Sequence, residues 1–364
     1  GTGSPVLVDV TAIMLQGNEV DGVTPARRLS AGSALQASVD STILVVSLHV
    51  DDVNYIKNTA SLCTEKADSL IAITANLIAD TAGEKVQAIL ASSPLEVTAY
   101  TEDASAPLLA SFTIDLSANT MTFNFDEPVE KSDFQPSSVL LQEAVDGSSA
   151  GETYTLTGGT TTISVNSMQI VLSLIEADVD AINAKLSLAS NQASTFVSLP
   201  SSLVKDKSVP AVAMAIVANT NGKPAAGYTV DNVAPTLDTF DLDMNAQVLV
   251  LHFSETMNHA NLAVTGFTIQ SAGDSTASTD LRQLTDSTVQ TTSAGVDMAI
   301  KLSENDINFM KLNGIGSAAD SSYLIMSNAA ARDAKGVPAT ERKTNVNALA
   351  VSGGGYTPDT TDPV

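Results

Sequence analysis

Residues 111–125 read SFTIDLSANTMTFNF, and residues 239–253 read TFDLDMNAQVLVLHF. In the first run Phe112, Ile114 and Leu116 alternate with Thr113 and Asp115, and the polar stretch Ser117-Ala118-Asn119 follows. A second alternation then sets Met121, Phe123 and Phe125 on one face. The later run repeats this plan with Phe240, Leu242 and Met244, the turn Asn245-Ala246-Gln247, and Leu249, Leu251 and Phe253. A period of two belongs to a half-buried strand, so each run predicts an antiparallel hairpin with one apolar face.

Working outward, each hairpin is preceded by Tyr-Thr-x-Asp-x-x-x-Pro, as Tyr100 to Pro107 and Tyr228 to Pro235. A third copy runs from Tyr356 to Pro363. The tyrosines stand at 100, 228 and 356, an interval of 128 residues. Solenoid repeats span roughly 20–50 residues, whereas this interval fits a small domain copied in tandem. The expected units are residues 1–106, 107–234 and 235–362, with 363–364 opening a further repeat. The first unit lacks the opening hairpin, because its matching register begins near Val8 to Gln16. Either the parent chain supplies those two strands ahead of residue 1, or another molecule does, as in donor-strand assemblies.

Further patterns recur within the unit. Leu44, Val46 and Leu48 match Ile170, Leu172 and Leu174, and then Met298, Ile300 and Leu302, predicting one strand in all three copies. The spacing then changes. Asp52-Val53-x-x-Ile56, Asp178-Val179-x-x-Ile182 and Asp306-Ile307-x-x-Met310 predict one or two helical turns, with the Asp at the positive end of the helix dipole. Ser303 and Asp306 add a capping-box pattern in the third copy. Another strand follows at Leu70 to Ile73, Phe196 to Leu199 and Tyr323 to Met326, leading to a turn with Asp80, Asp206 or Asp333. About seven strands and one short crossover helix per unit predict an all-β chain of tandem immunoglobulin-like β-sandwiches.

Composition agrees. Hydrophobic residues make up 44% of the 364 residues and charged ones only 16%, so cores can form, but Trp is absent and aromatics are scarce. Those cores must be aliphatic. The net charge of −24 repels nucleic acid and anionic membrane surfaces and attracts cations. No apolar run reaches the ~18 residues of a membrane span, and residues 1–10 carry no basic signal-peptide region. The single Cys63 can form no disulfide within the chain, and no N-x-Ser/Thr sequon occurs.

The stretch from Ala234-Pro235 to Phe253-Ser254-Glu255-Thr256-Met257 resembles the opening of bacterial-type Ig-like repeats, as does Ala106-Pro107 to Phe125-Asp126-Glu127-Pro128-Val129, with Asp126 where Ser is usual. The turn Asp333-Ala334-Lys335-Gly336-Val337-Pro338 fits the same group; Asp206-Lys207-Ser208-Val209-Pro210 lacks its glycine. Such repeats build S-layer proteins and large adhesins, and similar ones occur in algal cell-surface and flagellar-hair (mastigoneme) proteins. The resemblance implies an extracellular, cell-surface location and a structural role.

Candidate chemistry is sparse. His49, His252 and His259 show no metal or catalytic spacing and read as solvated. Gly158-Gly159 and Gly353-Gly354-Gly355 lack the Lys and helix context of a phosphate loop. No enzyme is expected and no cofactor is required. Strand directions, however, bring Asp103, Glu127 and Asp206 to one unit joint, and Asp231, Glu255 and Asp333 to the next. Three converging carboxylates suit a calcium ion, which takes six to eight oxygens. The competing reading is ordinary solvated turn acids. Cadherin-like arrays, which this arrangement resembles, use such ions to stiffen joints.

The expected function is a structural segment of a long extracellular repeat protein that forms or projects a filament, flagellar hair, surface layer or adhesive stalk. Expected partners are further copies of itself, neighbouring repeats of the parent chain and surface glycoproteins, without nucleic acid or membrane insertion. The alternative is an Ig-like module that recognises glycan or protein at the cell surface.

Overall fold

Both hairpins form in the computed structural model, which describes residues 7–19, 25–36, 42–148, 151–274 and 280–360. Strand Leu109–Asp115 pairs antiparallel with Thr120–Phe125, and Leu237–Asp243 with Val248–Met257. Asn119 and Gln247 hold positive φ at the tips, +52° and +57°, which lets each chain reverse between the strands. The alternating apolar residues point inward. Phe112, Met121, Phe123, Phe240, Leu242, Leu249 and Leu251 are all fully buried.

The protein is all-β, built as sandwiches with three short α-helices among the described residues. In the second unit a five-stranded sheet runs in the order Thr160–Ile163, Gln169–Ser173, Thr120–Phe125, Leu109–Asp115, Gly227–Thr229. Facing it is a four-stranded sheet ordered Thr153–Thr155, Leu140–Gln142, Phe196–Ser198, Lys223–Pro224. The third unit repeats both sheets, the larger built on Val248–Met257 and Gly295–Lys301, the smaller on Phe267–Gln270 and Tyr323–Met326. Among the described residues each complete unit thus has nine strands, not about seven. The extra ones, such as Lys223–Pro224 and Leu349–Ala350, are two-residue edge pairings too short to show an alternation.

Two separate hydrophobic clusters fill these sandwiches, one around Phe112, Phe123, Leu141 and Ile170, the other around Phe240, Leu251, Phe267 and Ile300. The tyrosine motif belongs to the sheet that precedes it. Tyr228 and Thr229 pair in parallel with Ile114 and Asp115, and Tyr356 and Thr357 with Leu242 and Asp243. The third motif's Pro363 and the expected start of a repeat at 363–364 lie outside the described residues.

The tyrosine hydroxyls have defined work. Tyr100, Tyr228 and Tyr356 donate to the carbonyls of Cys63, Ala189 and Gly316, at 3.0, 2.9 and 2.8 Å. All three acceptor residues are in the left-handed region, with φ of +54°, +47° and +69°. Each tyrosine therefore ties the end of its unit to the tight turn after the helix. Tyr228→Phe should lower the stability of the second unit by about 1 kcal/mol, the net value of one hydrogen bond, read as a shift of its urea midpoint.

The helices are α1, Val50–Lys57; α2, Glu176–Ala184; and α3, Glu304–Leu312. They run slightly over two turns. In the complete units each crosses from the larger sheet to the smaller. Ser303 caps α3 by accepting from the Asp306 amide, but the reciprocal half of the expected capping box does not form, since the Ser303 amide donates to Ser287 Oγ instead. The helix aspartates do more than face a dipole. Asp52, Asp178 and Asp306 are fully buried, and their carboxylates fasten the helix to the strand and turn before it. Arg27, Ser30 and Ser33 hold Asp52; Tyr154 and Thr157 hold Asp178; Arg282, Thr285 and Ser287 hold Asp306. These bonds from Ser30, Ser33 and Arg27 outweigh burial and bring Asp52 down to about 2.

The first unit departs from the others. It has one four-stranded sheet, ordered Ala26–Arg28, Ile13–Gln16, Leu70–Ile73, Leu95–Glu96, and a separate pair, Ala34–Leu35 with Val46–Ser47. The strand expected over Leu44 to Leu48 shrinks to Val46–Ser47. Its counterparts Gln169–Ser173 and Gly295–Lys301 each pair with the second strand of an opening hairpin, and among the described residues of this unit no such strand lies beside it. An apolar groove of about 300 Å3 results, lined by Ile13, Leu15, Leu29, Val46, Ile71 and Leu77 among others.

Candidate metal centres at the unit joints

Each of these two joints gathers three acids, one from the end of the preceding unit and two from the unit that follows. At the first joint Asp103 follows the last strand of unit one, Glu127 follows Thr120–Phe125, and Asp206 forms an isolated antiparallel bridge with Val129. At the second, Asp231 follows Gly227–Thr229, Glu255 lies near the end of Val248–Met257, and Asp333 bridges Met257. Both sequence-predicted triads come together. Within each, one carboxylate oxygen from every member lies within 4.8 Å of the others.

Local turns fix these side chains. Asp103 and Asp231 each accept the amide two residues on, from Ser105 and Val233, both at 3.0 Å. Asp333 Oδ1 accepts from the Lys335 and Val337 amides at 2.9 and 2.7 Å. Asp206 Oδ1 accepts from the Val212 amide at 2.6 Å, and both its oxygens take the Ser208 hydroxyl at 2.8 Å.

Electrostatically the joints differ. Lys57, the last residue of α1, inserts its ammonium into the first triad, 2.6 Å from Asp103 and also bonded to Glu127. Burial works against the Lys57 charge, but the bonds to both carboxylates outweigh it and raise its pKa. Burial likewise opposes the Asp103 charge, and Lys57 more than compensates, so Asp103 is lowered. Glu127 stays raised because it is more deeply buried and feels Asp103 and Asp206.

At the second joint, among the described residues, no Lys or Arg nitrogen pairs with Asp231, Glu255 or Asp333. Burial, then the charges of Asp231 and Asp333, push Glu255 up to about 8. Asp333 is raised too, by burial foremost. Lys335 is a cation within the field of Asp231 and Asp333. Burial lowers its pKa although Asp231 and Asp333 pull the other way, and its ammonium donates to the Leu188 carbonyl at 3.3 Å. Asp333 is 2% exposed, and its Oδ2 has no hydrogen-bond partner.

The feature that sequence reasoning missed is the helix residue five places after the buried aspartate. It is Lys57 in α1, Asn183 in α2 and Lys311 in α3. Lys311 pairs with Asp359, the counterpart of Asp103 and Asp231. Asn183 is 4% exposed, and its Oδ1 lacks a partner. Aligning the three helices on their aspartates would have displayed this alternation. His252 also differs from the solvated reading. It bridges Asp297 and Asp241, at 2.7 and 3.1 Å, and these carboxylates overcome burial to raise its pKa.

No protein-family model matches the chain, and no curated protein matches it in sequence. Among solved structures, the N-terminal part of the bacterial S-layer protein SbsC is similar at 12% identity, over 55% of this chain and 45% of that chain, with a TM-score of 0.19. The chain thus spans less than half of that structure's length. So loose a superposition bears on neither role nor ligand.

Proposed function

We propose that this chain is a structural, non-catalytic stretch of a long surface-exposed repeat protein, in which tandem Ig-like sandwiches stack end to end and set the reach and stiffness of a filament, flagellar hair, surface layer or stalk. The observation that carries this reading is the packing at the joints. Each of the first two crossover helices reaches into the following unit. From α1, Lys57 bonds Asp103 and Glu127, and Asn54 contacts Met168. From α2, Asp180 accepts from the Thr256 hydroxyl at 2.9 Å. Return contacts come from Lys207 to Asn58 and from Lys335 to Leu188. Pro107 and Pro235 fix φ where the chain enters each next unit. Among the described residues no helix is long and apolar enough to cross a membrane.

Partners on this reading are neighbouring repeats and further copies of the chain, at the cell surface. Recognition of glycan or protein by the loops has no comparable observation behind it. Small-angle scattering from the whole chain tests the proposal. A rod with a narrow distribution of lengths supports it; a broad ensemble of bent shapes counts against it.

A further inference from the structure

We propose that the second joint is a calcium site while the first is not, because the Lys57 ammonium already holds the corresponding place. Three observations converge. Both joints bring three carboxylate oxygens within 4.8 Å of one another, a spacing that one ion with metal–oxygen distances of about 2.3–2.6 Å can bridge. The fold demonstrably seats a cation there, since Lys57 bonds two members of the first triad. And the second triad contains a buried carboxylate oxygen, Asp333 Oδ2, with no hydrogen-bond partner.

The helix position explains the asymmetry. A lysine at this place supplies one positive charge from within the chain, as Lys57 does at the first joint and Lys311 does beside Asp359. Asn183 supplies none. It offers a neutral amide oxygen, buried and unpartnered, which is a calcium-ligand type. Carboxylate and amide oxygens are hard donors, the kind that calcium takes. Nitrogen or thiolate donors for zinc are absent from the triad. Three partly buried carboxylates this close repel one another and favour a cation between them.

Calorimetric titration of the whole chain with calcium chloride, after chelator treatment, is the test. One site per chain is expected, in the roughly 10⁻⁴ M range or tighter typical of extracellular modules. Asn183→Lys should abolish it by placing an ammonium in the joint, and Glu255→Gln should weaken it at least tenfold. Lys57→Asn should raise the stoichiometry from one to two. Circular dichroism confirms that each variant is folded, and Glu255→Gln covers the case in which Asn183→Lys does not fold. Absence of binding by the folded wild-type chain, or binding that survives Glu255→Gln, would overturn the site. A stoichiometry that stays at one in Lys57→Asn would overturn the role given to Lys57.

Discussion

Replacing Asp306 by alanine is expected to destabilise the third unit by about 3–5 kcal/mol, the usual cost of removing one partner from a buried ion pair. Its carboxylate is fully buried and accepts from Arg282 Nε at 2.8 Å, from the Ser287 hydroxyl at 2.6 Å and from the Thr285 amide and hydroxyl. Alanine would leave the Arg282 charge, which also lies over the Phe309 ring, without its counter-ion in a half-buried place. It would also release α3 from the strand that precedes it. With a urea slope of about 1–3 kcal/mol per molar, the midpoint of that unit should fall by roughly 2 M, while the second unit, held by its own Asp178, should keep its midpoint. Equal loss in both units would mean that they do not unfold separately. A shift below 0.5 M would mean that the latch is not structural.

Phe123→Ala should be comparably severe for the second unit, about 3–5 kcal/mol for a large aromatic removed from a packed core. Phe123 is fully buried, centred 6.3 Å from Phe112 and 5.4 Å from Phe134, and paired in register with Phe112 and Ile170. Its neighbours come from strands on both sides and cannot close on the cavity without breaking the hairpin register. The contrasting substitution is Val165→Ala, at a side chain 99% exposed, which should stay within about 0.5 kcal/mol of wild type. Denaturation followed by far-ultraviolet circular dichroism would separate the two; similar losses would contradict the packing described here.

Much of this architecture is legible in the residues because the apolar alternation at 112–125 and 240–253 has a period that only a strand satisfies. The change of spacing after Leu48, Leu174 and Leu302 likewise marks each helix. The acid triads are legible for a different reason. Once strand directions are known, residues far apart in sequence must meet at one end of a sandwich, and Asp103 to Asp206 and Asp231 to Asp333 do meet.

What stayed hidden depends on partners that a linear pattern does not show. An Asp at a helix start looks the same whether it faces water or, like Asp178, takes the Tyr154 and Thr157 hydroxyls in the interior. The apolar run from Leu44 to Leu48 reads as a full strand, yet pairs over only two residues, and among the described residues no hairpin strand lies beside it. Lys57 resembles any surface residue near a helix end until the joint geometry places it between Asp103 and Glu127.

The central claim is that separately folded sandwiches are linked end to end, and pulling single molecules of the whole chain by its termini tests it most directly. The account predicts successive ruptures, with each of the two complete units releasing about 400 Å of chain, the contour of 128 residues at roughly 3.3–3.6 Å each less the folded span. A single rupture that releases the whole chain at once would contradict it.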